Sequence, residues 1–178
     1  LDGWTPLMIA ALNGREQICK LLIGNKASID AKNNNGNTPL IIAALNGHEQ
    51  ICKHLIGNKA TIDAKDNNGN TPLMMAAQFG HEQTCKLLIE NKATIDAKDT
   101  NGTTPFMCCR TPWGNNEQIC KLLIDSMIKQ AQEATITILG IKKYKKSSCV
   151  AFNQNDRNII RSIAIKTYEI SKQQLFEQ

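Results

Sequence analysis

The amino-acid sequence repeats itself every 33 residues. A Thr-Pro pair opens four successive blocks, at Thr5, Thr38, Thr71 and Thr104. Neighbouring blocks agree almost letter for letter: residues 46–53 read N-G-H-E-Q-I-C-K and residues 79–86 read F-G-H-E-Q-T-C-K. A period of this length is typical of a stack of small units, none of which buries its apolar face alone. Positions shared by every unit are therefore expected to be architectural, and function is sought where the units differ.

Residues 33–65 show how one unit begins. Residues 33–37 (N-N-N-G-N) predict a turn, with a glycine for the positive φ of a tight loop. Thr38 is predicted to be a helix N-cap and Pro39 the first helical residue, where a missing N–H costs nothing. Residues 40–45 then predict a short apolar helix.

A second helix is predicted in the same unit after Asn46 and Gly47, which end the first. Glu49 lies in its first turn, where a carboxylate is favourable to the helix dipole. Its apolar stripe consists of Ile51, Cys52, Leu55 and Ile56. Residues 61–64 are expected to run extended into the next turn. The unit is therefore turn, helix, turn, helix.

Three motifs in this order identify a family. Residues 66–73 read D-N-N-G-N-T-P-L, residues 76–81 read A-A-Q-F-G-H, and residues 87–89 read L-L-I. Over residues 1–126 this pattern, in four registers, resembles the ankyrin repeat. The resemblance implies an all-α solenoid of helix-turn-helix units joined by short β-hairpin loops. The histidine usual after the family's T-P-L is replaced in each unit, by Met8, Ile41, Met74 and Met107.

The predicted organisation is four repeats followed by a different segment. The repeats, within residues 1–128, span 1–32, 33–65, 66–98 and 99–128. Residues 129–178 are predicted to be a basic helical C-terminal cap or adaptor segment. The first repeat starts inside its hairpin and its first helix is as apolar as the internal ones, which favours further repeats upstream.

The charge of the chain is uneven. Residues 1–128 hold 12 Lys/Arg and 12 Asp/Glu, whereas residues 129–178 hold 9 and 4, so the whole net charge of +5 lies in the tail. The repeats are therefore not expected to bind nucleic acid electrostatically. No stretch approaches the about 20 apolar residues of a membrane span.

Cysteine usage points to a reducing compartment. One cysteine recurs in each second helix, at Cys19, Cys52, Cys85 and Cys120. Stacked helices lie about 8–10 Å apart, too far for disulfides between successive repeats. We interpret these residues as small buried hydrophobes of an intracellular, cytoplasmic protein, with the nucleus as an alternative.

Catalytic, cofactor and metal sites are not predicted. His48 with Cys52, and His81 with Cys85, lie at i and i+4, but two ligands on a repeated position favour a structural histidine over zinc. Cys108 and Cys109 are adjacent in the sequence, so their side chains diverge, which is poor geometry for binding one metal ion. His54 replaces a leucine of the other units and is interpreted as an edge residue, with a functional role as the alternative. No nucleophilic triad or phosphate-binding loop is present, so we expect no enzyme activity.

The resemblance implies a binding surface for another protein on the concave face, across the hairpin tips and the ends of the first helices. At the tips this places Trp4, Asn37, Asn70 and Thr103. At the helix ends it places Leu12, Asn13, Leu45, Asn46, Gln78 and Phe79. Among these, Leu12, Leu45 and Phe79 are expected to form an apolar track with Trp4 at one end, unless they pack on neighbouring helices. Lys32, Lys65 and Lys98 form a regular ladder beside the tips.

Repeat four departs from the pattern by a two-residue insertion, since Thr104 precedes Cys120 by 16 residues where Thr38 precedes Cys52 by 14. The inserted region carries Arg110 and Trp113, both favoured at interfaces. The alternative is that the tryptophan folds back to cover the stack.

The tail is predicted to contain two helices. Residues 127–144 carry a weak helical stripe, although 135–138 fit an extended segment equally well, and residues 156–175 carry a better one. Four lysines close the first stripe, at Lys142, Lys143, Lys145 and Lys146. They either favour a helix C-terminus or contact an anionic surface or import machinery.

The sequence therefore predicts a non-catalytic scaffold that binds a partner protein on the concave face of its repeats. One alternative is an adaptor whose repeats bind a target while the basic tail recruits or localises. Another is the regulatory arm of a larger enzyme. The identity of the partner does not follow from a scaffold that serves many proteins.

Overall fold

A computed structural model describes residues 2–109 and 116–138. These residues form helices joined by turns and, within those two ranges, no β-strand. The helices are α1 Pro6–Leu12, α2 Glu16–Gly24, α3 Pro39–Leu45, α4 Glu49–Gly57, α5 Pro72–Gln78, α6 Glu82–Glu90, α7 Pro105–Cys108 and α8 Glu117–Ile138. None of them is long and apolar enough to cross a membrane. The predicted all-α helix-turn-helix units are confirmed.

The first helix of each repeat begins as predicted. A threonine N-cap accepts a hydrogen bond on its Oγ1 from the backbone N–H three residues on, as Thr38 does from Ile41 at 3.3 Å. Proline follows at the first helical position, where no N–H is needed. Thr5, Thr71 and Thr104 do the same for α1, α5 and α7.

The residues that stand in place of the family's histidine are core residues in the first three repeats. Met8, Ile41 and Met74 have almost no exposed surface. In repeat one the sulfur of Met8 also accepts a hydrogen bond from the Thr5 N–H at 3.4 Å. The substitution therefore converts a polar position into an apolar one that packs inside the stack.

The second helices are ended by an asparagine and a lysine. In α4, Asn58 Nδ2 donates to the carbonyl of His54 at 2.8 Å, and Lys59 follows with a left-handed φ of 68°. Asn25 and Asn91 cap α2 and α6 in the same way. The left-handed residue, usually glycine, is here a lysine in each of these three repeats.

The helices of the repeats pack in two rows. The first helices α1, α3, α5 and α7 each contact the next, and the second helices α2, α4 and α6 do likewise behind them. The recurring Cys19, Cys52 and Cys85 are fully buried between the rows. The interpretation as small core residues is confirmed for these three. It is wrong for Cys120, which is half-buried and bonded to Cys109.

The loops are built from hydrogen-bonded turns. Asn33 Oδ1 accepts from the backbone N–H groups of Asn35 and Asn37, both at 3.0 Å. The expectation that residues 61–64 run extended is wrong: the Ala64 N–H donates to the Thr61 carbonyl at 3.2 Å, which closes a turn there.

The fourth repeat differs from the others. Its first helix, α7, has four residues where α1, α3 and α5 have seven. Its second helix, α8, runs on for 22 residues, so residues 135–138 are helical rather than extended. The compact unit formed by the repeats ends inside α8, at Leu123. Residues 156–175, predicted to form a second tail helix, lie outside the described ranges.

Candidate functional site

Histidines at the start of the second helices join neighbouring repeats. His48 Nε2 lies 3.2 Å from the carbonyl oxygen of Leu12, and His81 Nε2 lies 2.9 Å from that of Leu45. Because a carbonyl only accepts, Nε2 carries the proton in each case. The prediction of a structural histidine is confirmed. Within residues 2–109 and 116–138, no three metal-ligating side chains cluster.

Two further sets of bonds connect the loops of successive repeats. Asp30 accepts from the backbone N–H of Thr61 at 3.0 Å and from its hydroxyl at 2.7 Å. Asp63 holds Thr94 in the same manner. The lysine ladder is likewise structural in part, because Lys32 Nζ donates to the Lys65 carbonyl at 2.7 Å. These groups hold the stack together and are less available to a partner.

His54 takes part in a small charged cluster between repeats one and two. Its Nε2 lies 3.3 Å from Glu16 Oε1, and the same oxygen is 2.7 Å from Lys20 Nζ. Hydrogen bonds from Lys20 and then from His54 lower the pKa of Glu16. The leucine-to-histidine replacement thus adds a polar contact at a partly exposed edge.

Trp4 occupies a polar register at the hairpin tips. The matching positions are Asn37, Asn70 and Thr103, all half-buried, whose backbone N–H groups donate to the preceding Asn33, Asp66 and Asp99 side chains. The tryptophan is 36% exposed. A large aromatic residue therefore stands at the tip of repeat one where its counterparts carry short polar side chains.

The ends of the first helices show the same kind of replacement. Asn13 and Asn46 cap α1 and α3, each donating Nδ2 to a helix carbonyl at 2.8 Å. The residue in that register at the end of α5 is Phe79, which is 54% exposed. A capping amide has been exchanged for a solvent-exposed ring.

The apolar track is staggered rather than straight. Leu12 is exposed and Leu45 half-buried, and they share one register with Gln78. Phe79 lies one position further along the chain, in the register of the capping asparagines. Since α1, α3 and α5 pack in sequence, these side chains lie at the ends of three neighbouring helices. The other predicted anchors, Arg110 and Trp113, and the lysines Lys142, Lys143, Lys145 and Lys146, lie outside the described residues.

The buried cysteines are unsuited to nucleophilic chemistry. Burial raises the pKa of Cys52 and of Cys85 to about 12, and that of Cys108 to about 11. These thiols stay protonated at neutral pH, and only the thiolate is a strong nucleophile. They are core residues that contribute to packing.

Sequence reasoning missed two features. The first is an apolar surface on repeat one, which exposes Ile9, Ile18 and Leu21. The sequence shows that the first helix of repeat one is as apolar as the internal ones, but it does not show this exposure, because the same registers are buried or half-buried in later repeats. The second is a disulfide between Cys109 and Cys120, whose Cα atoms are 6.0 Å apart. The sequence does contain a signal for this pair, because a cysteine at 109 stands where repeats one to three have Ala10, Ala43 and Ala76.

Comparison with known proteins gives one positive result. The family model described as "Ankyrin repeats (3 copies)" matches residues 1–66 and again residues 46–135. Together the two matches cover most of the chain, including all the helices in which the candidate residues lie. No curated protein matches it.

Proposed function

Because this chain belongs to the ankyrin-repeat family, a family of protein-interaction modules that is typically non-enzymatic, we propose that it is a scaffold that binds one partner protein without chemistry. The contact surface consists of the hairpin tips and the ends of the first helices of repeats one to three. Of the six cysteines that the structure describes, four are buried free thiols, which suits a reducing compartment, so the proposed place of action is inside the cell.

The observation that carries this proposal is Phe79. A phenylalanine in place of Asn13 or Asn46 gives up a capping hydrogen bond and leaves half of an aromatic ring in water. Both changes are unfavourable for the isolated fold, since one hydrogen bond contributes about 1 kcal/mol and the exposed apolar area of the ring gains nothing from burial. Contact with a partner removes the ring from water, and the free energy gained by burying it offsets these two costs.

Trp4 and Leu12 extend the same argument to repeat one. Aromatic and aliphatic anchors surrounded by polar groups are the usual composition of a protein interface. The surrounding groups here are the amides of the capping and tip asparagines, among them Asn13, Asn46 and Asn70. These groups are uncharged, and the repeats have no net charge, so the partner surface is expected to be neutral and hydrogen-bonding rather than strongly charged.

The experiment is affinity purification from native lysate with matched variants of the full chain. One variant is Leu12→Glu with Phe79→Glu, both exposed at the ends of first helices. Its control is Leu21→Glu, an exposed leucine on the second helix of repeat one. Circular dichroism establishes that each variant keeps its helicity.

We expect a protein that is captured by the parent chain and by Leu21→Glu to be lost from the double variant. Capture that is unchanged in the double variant would contradict the proposed surface. Capture that survives there but disappears when residues 129–178 are deleted would move recognition to the tail, as in an adaptor.

A further inference from the structure

Repeat four places two cysteines where every earlier repeat has one. Cys120 continues the second-helix series of Cys19, Cys52 and Cys85. Cys109 takes the register of an alanine that is fully or almost fully buried in repeats one to three. The Cα atoms of the pair are 6.0 Å apart, within the about 4.4–6.8 Å that a disulfide requires. Only this repeat therefore pairs two sulfurs across its helix-turn-helix unit.

The pair also has exposed surface on one side, at Cys120. Cys19, Cys52 and Cys85 have no exposed surface, whereas Cys120 is half-buried. Cys109 is fully buried beside it. Exchange between thiols and disulfides needs access to the sulfur, and Cys120 is the member of its series that has exposed surface.

The disulfide lies beside a backbone hydrogen bond that is longer in repeat four than in the earlier repeats. In repeats one to three a backbone N–H at the start of the second helix donates to the alanine carbonyl at 2.9–3.0 Å, as His48 does to Ala43. In repeat four the equivalent bond, from Asn116 to Cys109, is 3.4 Å long. The shortened α7 is thus held to α8 by a longer hydrogen bond and a covalent link.

We propose that Cys109 and Cys120 form a reversible modification site that exchanges with small-molecule disulfides of the glutathione type, and that its oxidation ties the end of α7 to the start of α8. The Cys120 thiolate attacks the small disulfide, forming a mixed disulfide and releasing one thiolate. Cys109, after losing its proton, attacks the Cys120 sulfur, and the second small thiolate leaves. The protein dithiol is oxidised by two electrons and one small disulfide is reduced to two thiols.

The other thiols of the repeats compete poorly. Cys52 and Cys85 are fully buried, and burial raises the pKa of each to about 12. Cys108 is adjacent to the pair, and its pKa is raised to about 11, mainly by burial. These groups are held as unreactive thiols, which directs oxidation to the single pair.

The test is a titration of the full chain in buffers of varied ratio of reduced to oxidised glutathione. After acid quenching, alkylation and tryptic digestion, peptide 99–110 contains Cys108 and Cys109, and peptide 111–121 contains Cys120. We expect these two peptides to become cross-linked as the oxidised share rises and to separate again when reduced glutathione is added. Cys52 and Cys85 are expected to be alkylated only after denaturation.

Three variants assign the bond. Cys109→Ala restores the residue of the other repeats and should abolish the cross-link, while Cys108→Ala and Cys85→Ala should keep it. In the parent chain, exchange of the α7 amides should slow on the order of 100-fold on oxidation, and not in Cys109→Ala. A Cys120 that stays reduced throughout, a cross-link that needs Cys108, one that reduced glutathione fails to reverse, or α7 exchange that ignores oxidation would each overturn the proposal.

Discussion

Residues 16–20 and residues 49–53 have the same sequence, E-Q-I-C-K, and yet they differ in environment. Ile18 in repeat one is 48% exposed, whereas Ile51 in repeat two is 2% exposed. Both lie at the same place on the same kind of helix. The difference arises because α4 packs against two second helices, α2 and α6, whereas α2 packs against only one of the described second helices, α4. Burial in a stack is thus a property of the neighbour as much as of the residue.

The face of repeat one that packs against repeat two is not exposed in this way. Gly14 has a φ of 66°, and a Cβ built there would lie 2.8 Å from the His48 ring. Gly47 has a φ of 70°, and its Cβ would meet the His81 ring in the same way. Repeat one is therefore joined to repeat two by the same kind of glycine–histidine contact that joins repeat two to repeat three.

Truncation of the two isoleucines should have the largest effect. Ile51→Ala removes buried methyl groups and is expected to lower the free energy of unfolding by about 2–4 kcal/mol. Ile18→Ala, in the identical local sequence, should cost less than about 1 kcal/mol. Urea unfolding of both variants measures the difference. Equal costs would show that the apolar surface of repeat one is covered in solution.

Alanine at the junction glycines should have the next largest effect. Gly14→Ala and Gly47→Ala are each expected to cost about 1–3 kcal/mol, because alanine disfavours positive φ and its Cβ meets a histidine ring. Gly57→Ala is the control: it is helical, with open space around it, and should be neutral or stabilising by up to about 1 kcal/mol. A tolerated Gly14→Ala beside a costly Gly47→Ala would show that repeat one is loosely docked.

Some parts of the structure can be predicted from the sequence alone, and others depend on how the repeats pack. Thr38 and Pro39 act within a few residues, so the helix start they predict is found. The sequence predicts Phe79 as an anchor, but the exposure of its ring depends on how α5 is surrounded. The turn at residues 61–64 was missed because its hydrogen bonds include one that the Thr61 N–H donates to Asp30 in the previous repeat. The cysteine at 109 is visible in the sequence as a departure from an alanine register, but its pairing with Cys120 follows only from the fold, which brings the two Cα atoms to 6.0 Å.

The histidine bridge should contribute less than the glycine it contacts. His81→Asn keeps a polar side chain at the start of α6 but shortens the reach to the Leu45 carbonyl. We expect a loss of about 1 kcal/mol, the usual net value of one hydrogen bond. Thermal unfolding measures it, with Gln83→Asn, an exposed residue of the same helix, as the control. An unchanged stability of His81→Asn would show that the junction depends on the glycine geometry and not on this hydrogen bond.

Removing the charge of Glu16 from its cluster with Lys20 and His54 should have the smallest effect. The pKa of Glu16 is lowered, so its carboxylate stabilises the folded state at neutral pH, and this contribution disappears as the pH falls through the lowered value. Glu16→Gln should therefore reduce the melting temperature slightly at pH 7 and leave it unchanged once Glu16 is protonated. A difference that persists in acid would point to packing rather than charge.

The side-chain bonds between loops of neighbouring repeats have a consequence for folding. Each joins residues 31 or 33 positions apart, as Asp30 is joined to Thr61 and Lys32 to Lys65. The entropy lost in closing such a loop depends on its length, so it is nearly the same at each junction. No contact of this kind has to wait for distant parts of the chain to meet. The same repeat sequence can therefore start folding at any junction and spread in either direction.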